Sequence, residues 1–298
     1  MTVFRSLALV IFLSASTAAL AATSHVQSND SDNTGATAAT SITTKVFGAS
    51  TTTGSTIAAA MSWAGTTANL DSCTDTAGNT YTVAYSGIRD TTNSQSGGAC
   101  YAMNITGGSS FTVTGNFSAS VGFRGAVAHE IGGAAVSSFQ CQASNQQINP
   151  GTGTDAVTST TCNFTGAGNY VFGASFQDSG SGNTPTAGTN FTARESANAC
   201  GGDLCWLSES RIESGTGNFA ATVTNVGASD DNITILMAFA PAVTAIAGCR
   251  LLQDGTSFRL LQDGTSKRLL QAGAGAGCAG GGPAPTYPGW YGQTGWYN

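Results

Sequence analysis

Between Ser41 and Ala240 the apolar residues recur at every second position in short runs, and nowhere at the three-and-four spacing of a helix. Phe111, Val113 and Phe117 carry this period, as do Phe219, Ala221 and Val223. Gly, Asn and Asp punctuate the runs. A chain with 40 glycines among 298 residues has no shortage of turn positions. The pattern predicts strands at Thr43–Ala49, Thr56–Trp63, Asn69–Thr74, Thr80–Tyr85, Ala99–Ile105, Ser110–Phe117 and Gly122–Ile131. The series continues with Ser137–Ala143, Tyr170–Gln177, Phe191–Glu195, Leu204–Glu213, Asn218–Asn225 and Asn232–Ala240. Many short strands without helices imply an all-β fold, an antiparallel β-sandwich of immunoglobulin-like or jelly-roll-like type. One large sandwich over residues 42–243 is the expectation. Two smaller ones joined near Pro150 are the alternative, and Cys141 and Cys162, which straddle that point, favour the single domain.

Ahead of this region Arg5 precedes the apolar run Leu7–Leu13, and small residues lead to Ala19-Leu20-Ala21. That order reads as a secretory signal over residues 1–22. The apolar run falls short of the roughly 20 residues of a membrane span, so no span is expected in the mature chain. Residues 23–41 read as a polar leader or an edge strand. Eight cysteines behind a signal read as disulfides in an oxidising compartment, and the chain is expected to be secreted or at the cell surface. Pairing sequence neighbours gives Cys73–Cys100, Cys141–Cys162, Cys200–Cys205 and Cys249–Cys278.

After residue 243 the pattern changes. Arg250–Phe258 returns almost unchanged as Arg259–Lys267, and Arg268-Leu269-Leu270-Gln271 begins a third copy. Asp-Gly is a strong hairpin-turn signal, so turns at Asp254-Gly255 and Asp263-Gly264 make residues 248–273 a short β-meander. Residues 274–298 read as a Gly/Pro-rich linker with an aromatic tail. In that tail Tyr287, Trp290, Tyr291, Trp296 and Tyr297 are candidate contacts for a glycan or a protein surface.

Charge and chemistry narrow the function classes. Charged residues are 9% of the chain and the net charge is -6, which argues against a nucleic-acid partner. His129-Glu130 is the only His–acid neighbour pair, and on a strand its members face opposite sides. A Ser-His-Asp site would have to use His129 or His25, and no Gly-x-Ser-x-Gly elbow is present. Glu130, Glu195, Glu209 and Glu213 are the carboxylates open to glycoside chemistry. Glu209, Arg211 and Glu213 share one strand face and read as a solvated, ion-paired surface. Asp30–Gly35 begins like a calcium loop, but Thr34 and Ser41 break the pattern. Asp71, Asp75, Asp230 and Asp231 sit in turn-like contexts where ordinary Asx turns compete with calcium. No cofactor is expected.

Four segments, Ser55–Trp63, Thr74–Tyr81, Tyr101–Ile105 and Val127–Gly133, resemble β-sandwich modules of secreted bacterial surface and adhesin-like proteins. The Leu-Leu-Gln-Asp-Gly repeat resembles short hairpin ladders of phage-like and bacterial surface proteins. The resemblance implies an extracellular, noncatalytic module with an adhesive or structural role. Self-association through sheet edges accords with it. A carbohydrate-binding module using the C-terminal aromatics is the alternative, and a small glycan hydrolase built on His129 or Glu130 is the third reading.

Overall fold

Of the two readings of residues 23–41, the edge strand holds from residue 24: Ser24–Asp30 is a strand at the edge of its sheet. The computed structural model describes residues 22–32, 35–91, 94–147, 154–178, 185–197, 204–226, 231–242, 249–251, 257–260 and 269–272. Among them every regular element is a strand, and the pairings are antiparallel.

The first sandwich comprises β1 (Ser24–Asp30), β2 (Ala39–Thr43), β3 (Thr56–Ala64), β4 (Leu70–Asp75), β5 (Thr82–Asp90), β6 (Gln95–Ala102), β7 (Val113–Val121) and β8 (Gly125–Gly132). Its larger sheet runs β1-β8-β3-β6-β5 and its smaller one β2-β7-β4. This is the wrapping order of a jelly roll, with β5 joined to the larger sheet. In β7, Val113, Gly115 and Phe117 are buried while Thr114 and Asn116 are half-exposed, which is the alternation of a strand covered on one face. β3 is buried at every position but its last, because both its faces are covered. Ile57, Met61 and Trp63 from the larger sheet meet Leu70, Phe111 and Phe117 from the smaller sheet and its loops.

The second sandwich repeats that order. It comprises β9 (Ala134–Gln147), β10 (Thr154–Thr158), β11 (Cys162–Phe164), β12 (Asn169–Asp178), β13 (Thr186–Ala187), β14 (Thr192–Ser196), β15 (Leu204–Glu213), β16 (Gly217–Phe219), β17 (Thr222–Val226) and β18 (Asp231–Pro241). Its larger sheet, β9-β18-β12-β15-β14, stands strand for strand with β1-β8-β3-β6-β5, and β10-β17-β13 stands with β2-β7-β4. β11 and β16 form an additional pair. Two fragments of sequence recur, the first at an equivalent place and the second in β16, just ahead of β17, the counterpart of β7. Ala77-Gly78-Asn79-Thr80-Tyr81-Thr82 leads into β5 as Ala187-Gly188-Thr189-Asn190-Phe191-Thr192 leads into β14. Thr114-Gly115-Asn116-Phe117 in β7 returns as Thr216-Gly217-Asn218-Phe219 at β16.

The two larger sheets face each other and form the layer between the two sandwiches. The first contributes small side chains, Ala58, Ala60, Ala99 and Val127. The second contributes Phe172, Phe176, Trp206, Ile235 and Phe239. Gly97 and Gly125 set the approach: a Cβ at Gly97 would lie 2.8 Å from Ile233 Cγ2, and one at Gly125 would lie 2.7 Å from the Trp206 ring. Tyr101 stacks on Phe139 at 4.3 Å, and Phe239 packs edge-on against both. Exposing the large apolar side chains of this layer would cost on the order of 10 kcal/mol at roughly 1.5–3 kcal/mol each. Residues 20–242 accordingly form one compact unit.

The region expected as one domain, residues 42–243, lies within one compact unit, residues 20–242; inside it the strands make two sandwiches that meet at Gly133 (φ 68), not near Pro150. The reason is physical: β8 passes into β9 through one residue, so no linker composition marks the change. Disulfides join Cys73 to Cys100 and Cys141 to Cys162, two of the four neighbour pairs. The first ties the smaller sheet to the larger in the first sandwich. The second ties β9 to β11, and Cys141–Cys162 thus lies wholly within the second sandwich. Cys205 is also disulfide-bonded. Cys200 and Cys278 lie outside the described residues.

The C-terminal unit contains the antiparallel meander β19 (Cys249–Leu251), β20 (Ser257–Leu260) and β21 (Leu269–Ala272), one strand from each copy of the repeat or its border. Ser257–Leu260 falls between the two Asp-Gly pairs, which lie outside the described residues.

Candidate functional site

The strand period sends His129 and Glu130 of β8 to opposite faces. His129 enters the layer between the two larger sheets, and Glu130 enters the core of the first sandwich. Each is 0% exposed. His129 Nδ1 lies 2.9 Å from Tyr170 Oη, and Nε2 lies 2.8 Å from Ser208 Oγ. Ser208 Oγ also accepts the Glu195 backbone N–H at 3.1 Å. A neutral imidazole needs one donor and one acceptor, and the two hydroxyls supply them. Each hydroxyl can donate one hydrogen bond and accept two, so the pair serves either neutral tautomer of the ring. Burial, then the neighbouring His25 and Arg194, holds His129 well below the usual histidine range. The Ser208–His129 contact has the distance of a nucleophile–base pair. Its Nδ1 faces a phenol instead of a carboxylate, and Ser208 has no exposed surface.

Glu130 is held as firmly. Gln27 Nε2 donates to its Oε2 at 2.6 Å and the Thr52 N–H to its Oε1 at 2.7 Å. Glu195, on β14, accepts a 2.5 Å bond from Ser28 Oγ on β1, and burial raises its carboxyl above the usual range. Glu209, Arg211 and Glu213 do share a face of β15, but that face is not solvated. It looks into the second sandwich beneath β10-β17-β13, with Glu209 at 0% and Glu213 at 8% exposure. Arg211 pairs with Glu213 and lies over Phe191 and Phe219 at 5.1 and 5.5 Å. Glu209 Oε2 accepts the Gly188 N–H at 2.9 Å, and burial pushes its carboxyl up to about 8.

Turn chemistry accounts for Asp75, whose Oδ1 accepts the Ala77 and Asn79 N–H groups and whose Oδ2 accepts from Asn79 Nδ2 and Tyr81 Oη. Asp30 and Asp32 share Lys45 at 2.8 and 3.3 Å. Asp71 is exposed; Asp230 lies outside the described residues, as does the side chain of Asp231. Among the described residues no three His, Cys, Asp or Glu side chains converge as a metal site. Tyr287, Trp290, Tyr291, Trp296 and Tyr297 lie outside the described residues.

A polar cleft of about 230 Å³ opens where β1 and β14 form one edge of the central layer. His25, Tyr170, Thr192, Arg194, Ser210 and Arg211 line it. His25 meets His129 edge-on at 5.3 Å, and burial and Arg194 bring its ring down to about 4. Its Nε2 is sheltered and has no hydrogen-bond partner. Arg194 Nε donates to Ser210 Oγ at 2.8 Å. His25 was visible in the sequence as one of two histidines, but no spacing links it to Tyr170, Arg194 or Ser210. They meet through the pairing order of the sheets.

Fold and site together define a tandem antiparallel β-sandwich with a polar cleft at one edge of its central layer. Compared with protein-family models, curated proteins and solved structures, the chain matches none.

Proposed function

We propose that this is an exported, noncatalytic binding and structural protein that acts by surface contact. The commitment of its rare titratable side chains to internal bonds carries the reading. General acid–base or nucleophilic chemistry needs a group within reach of a substrate. His129, Glu130 and Glu209 each have 0% exposure and are hydrogen-bonded within the two sandwiches. The disulfides accord with an oxidising compartment outside the cytoplasm. Two rigid sandwiches then present loops, sheet edges and the C-terminal repeat to a partner. Among the described residues no helix is long and apolar enough to cross a membrane.

Deleting residues 248–298 tests where contact is made. The unfolding transition of the sandwiches should persist, while self-association and binding to glycan or protein surfaces fall. Unchanged oligomeric mass together with unchanged binding would remove the tail from the role. Turnover of a glycan or ester that disappears in His129→Ala or Glu130→Ala, with the fold retained, would overturn the noncatalytic reading.

A further inference from the structure

We propose that the cleft between β1, β12, β14 and β15 binds a singly charged, hydroxylated carboxylate about the size of one sugar acid, with Arg194 as its anchor.

Charge placement is the first argument. The chain carries ten basic residues against sixteen acidic ones, so a cation left unneutralised stands out. Lys45 is bridged to Asp30 and Asp32, and Arg211 to Glu213. Arg194, like Arg89, has no carboxylate within ion-pair distance among the described residues, and of the two it is Arg194 that lines this cleft. Its one hydrogen bond there runs from Nε to Ser210 Oγ, which fixes the plane of the guanidinium and leaves the two terminal nitrogens for a ligand. A fixed guanidinium fork matches the two oxygens of a carboxylate.

The remaining lining sets size and charge. Arg211 reaches the same cleft, but its charge is balanced by Glu213, so the site offers a net charge of about one. That favours a monoanion over a phosphate dianion. About 230 Å³ is more than a bare ion requires; Thr192 is the exposed hydroxyl of the lining, while Tyr170 and Ser210, 0% and 1% exposed, form a polar floor whose hydroxyls already bond His129 and Arg194. The sheltered, unpartnered Nε2 of His25 is a further hydrogen-bonding position in this wall. Tyr170 is positioned from behind by His129, so the wall is built before a ligand arrives.

Calorimetric and NMR titration of the full-length protein with glucuronate tests this, with glucose and inorganic phosphate as comparators. Glucuronate should bind and shift the His25 ring resonances, while glucose and phosphate bind at least tenfold more weakly. Arg194→Gln should weaken glucuronate at least tenfold, as expected for losing a charge-assisted hydrogen-bonded pair of about 1.5–3 kcal/mol. Arg194→Lys, which keeps the charge without the fork, should fall between the two and covers the case in which the glutamine variant does not fold. A glucuronate-terminated oligosaccharide binding more tightly than the free acid would identify a glycan end as the source; the reverse would identify the free acid. No glucuronate binding, equal binding by Arg194→Gln, or equal binding of phosphate would overturn the proposal. The cleft lies outside residues 248–298, so glucuronate binding should survive their deletion, and failure here is distinguishable from failure of the tail experiment.

Discussion

Glu209 and His129 are buried titratable groups shifted in opposite senses, and they leave opposite marks on stability. Glu209 binds its proton more tightly in the folded protein, with its carboxyl pushed up to about 8 by burial. Its contribution is complete below the ordinary glutamate range near 4.5 and is lost as pH rises through about 8. His129 binds its proton less tightly when folded. Its contribution is complete above the ordinary value of 6.5 and is lost as pH falls below it. Urea denaturation from pH 4 to 9 should therefore show Glu209→Gln gaining stability relative to the parent as pH rises through 8. His129→Gln should lose stability at pH 8, where Tyr170 and Ser208 lose a fitted partner, yet show a shallower decline below pH 6.5. The acid decline should not vanish, because His25 shifts in the same direction. Parallel pH profiles for Glu209→Gln and the parent would show that Glu209 titrates as an ordinary carboxylate.

Strand-level features were largely legible because they are written locally. The alternation of Phe111, Val113 and Phe117 depends on neighbours two to six residues apart. β10, β11 and β13 were not legible, and β1 (SHVQSND) was legible only as the edge-strand alternative to a polar leader: it is almost wholly polar, and it is a strand because β8 offers a free edge to it. The opposed faces of His129 and Glu130 followed from the strand period alone. The burial of Glu209 did not, because it depends on β13 and β17 folding over β15. The Cys73–Cys100 crosslink belongs to this scale too, since it joins β4 of the smaller sheet to β6 of the larger across 27 residues of sequence. Replacing both cysteines by alanine should lower unfolding free energy by about 3 kcal/mol, measured by urea denaturation. A loss below about 1 kcal/mol would mean that the Ile57, Trp63 and Phe117 core alone sets the spacing of these sheets.

For the whole molecule, the decisive contact is the layer in which one sheet of small side chains receives a sheet of large ones. Two sandwiches of the same strand order could stand apart on a linker, as separate modules do. Here Gly97 and Gly125 leave no room for a side chain against Ile233 and Trp206, so the sheets meet at backbone distance. Gly125→Val should cost more than about 2 kcal/mol by overpacking against a rigid indole. Gly48→Ala, with open space around its Cβ position, should stay within about 0.5 kcal/mol. Trp206→Leu alone should also destabilise, but combined with Gly125→Val it relieves the clash. The double variant should be more stable than the sum of the single losses by about 1 kcal/mol or more. Strict additivity in that cycle, with a separate unfolding transition for each half, would mean that the halves fold as independent modules. A single cooperative transition with positive coupling makes the pair of jelly rolls one folding unit, in which the cleft wall of His25, Arg194 and Tyr170 can form only when both halves are in place.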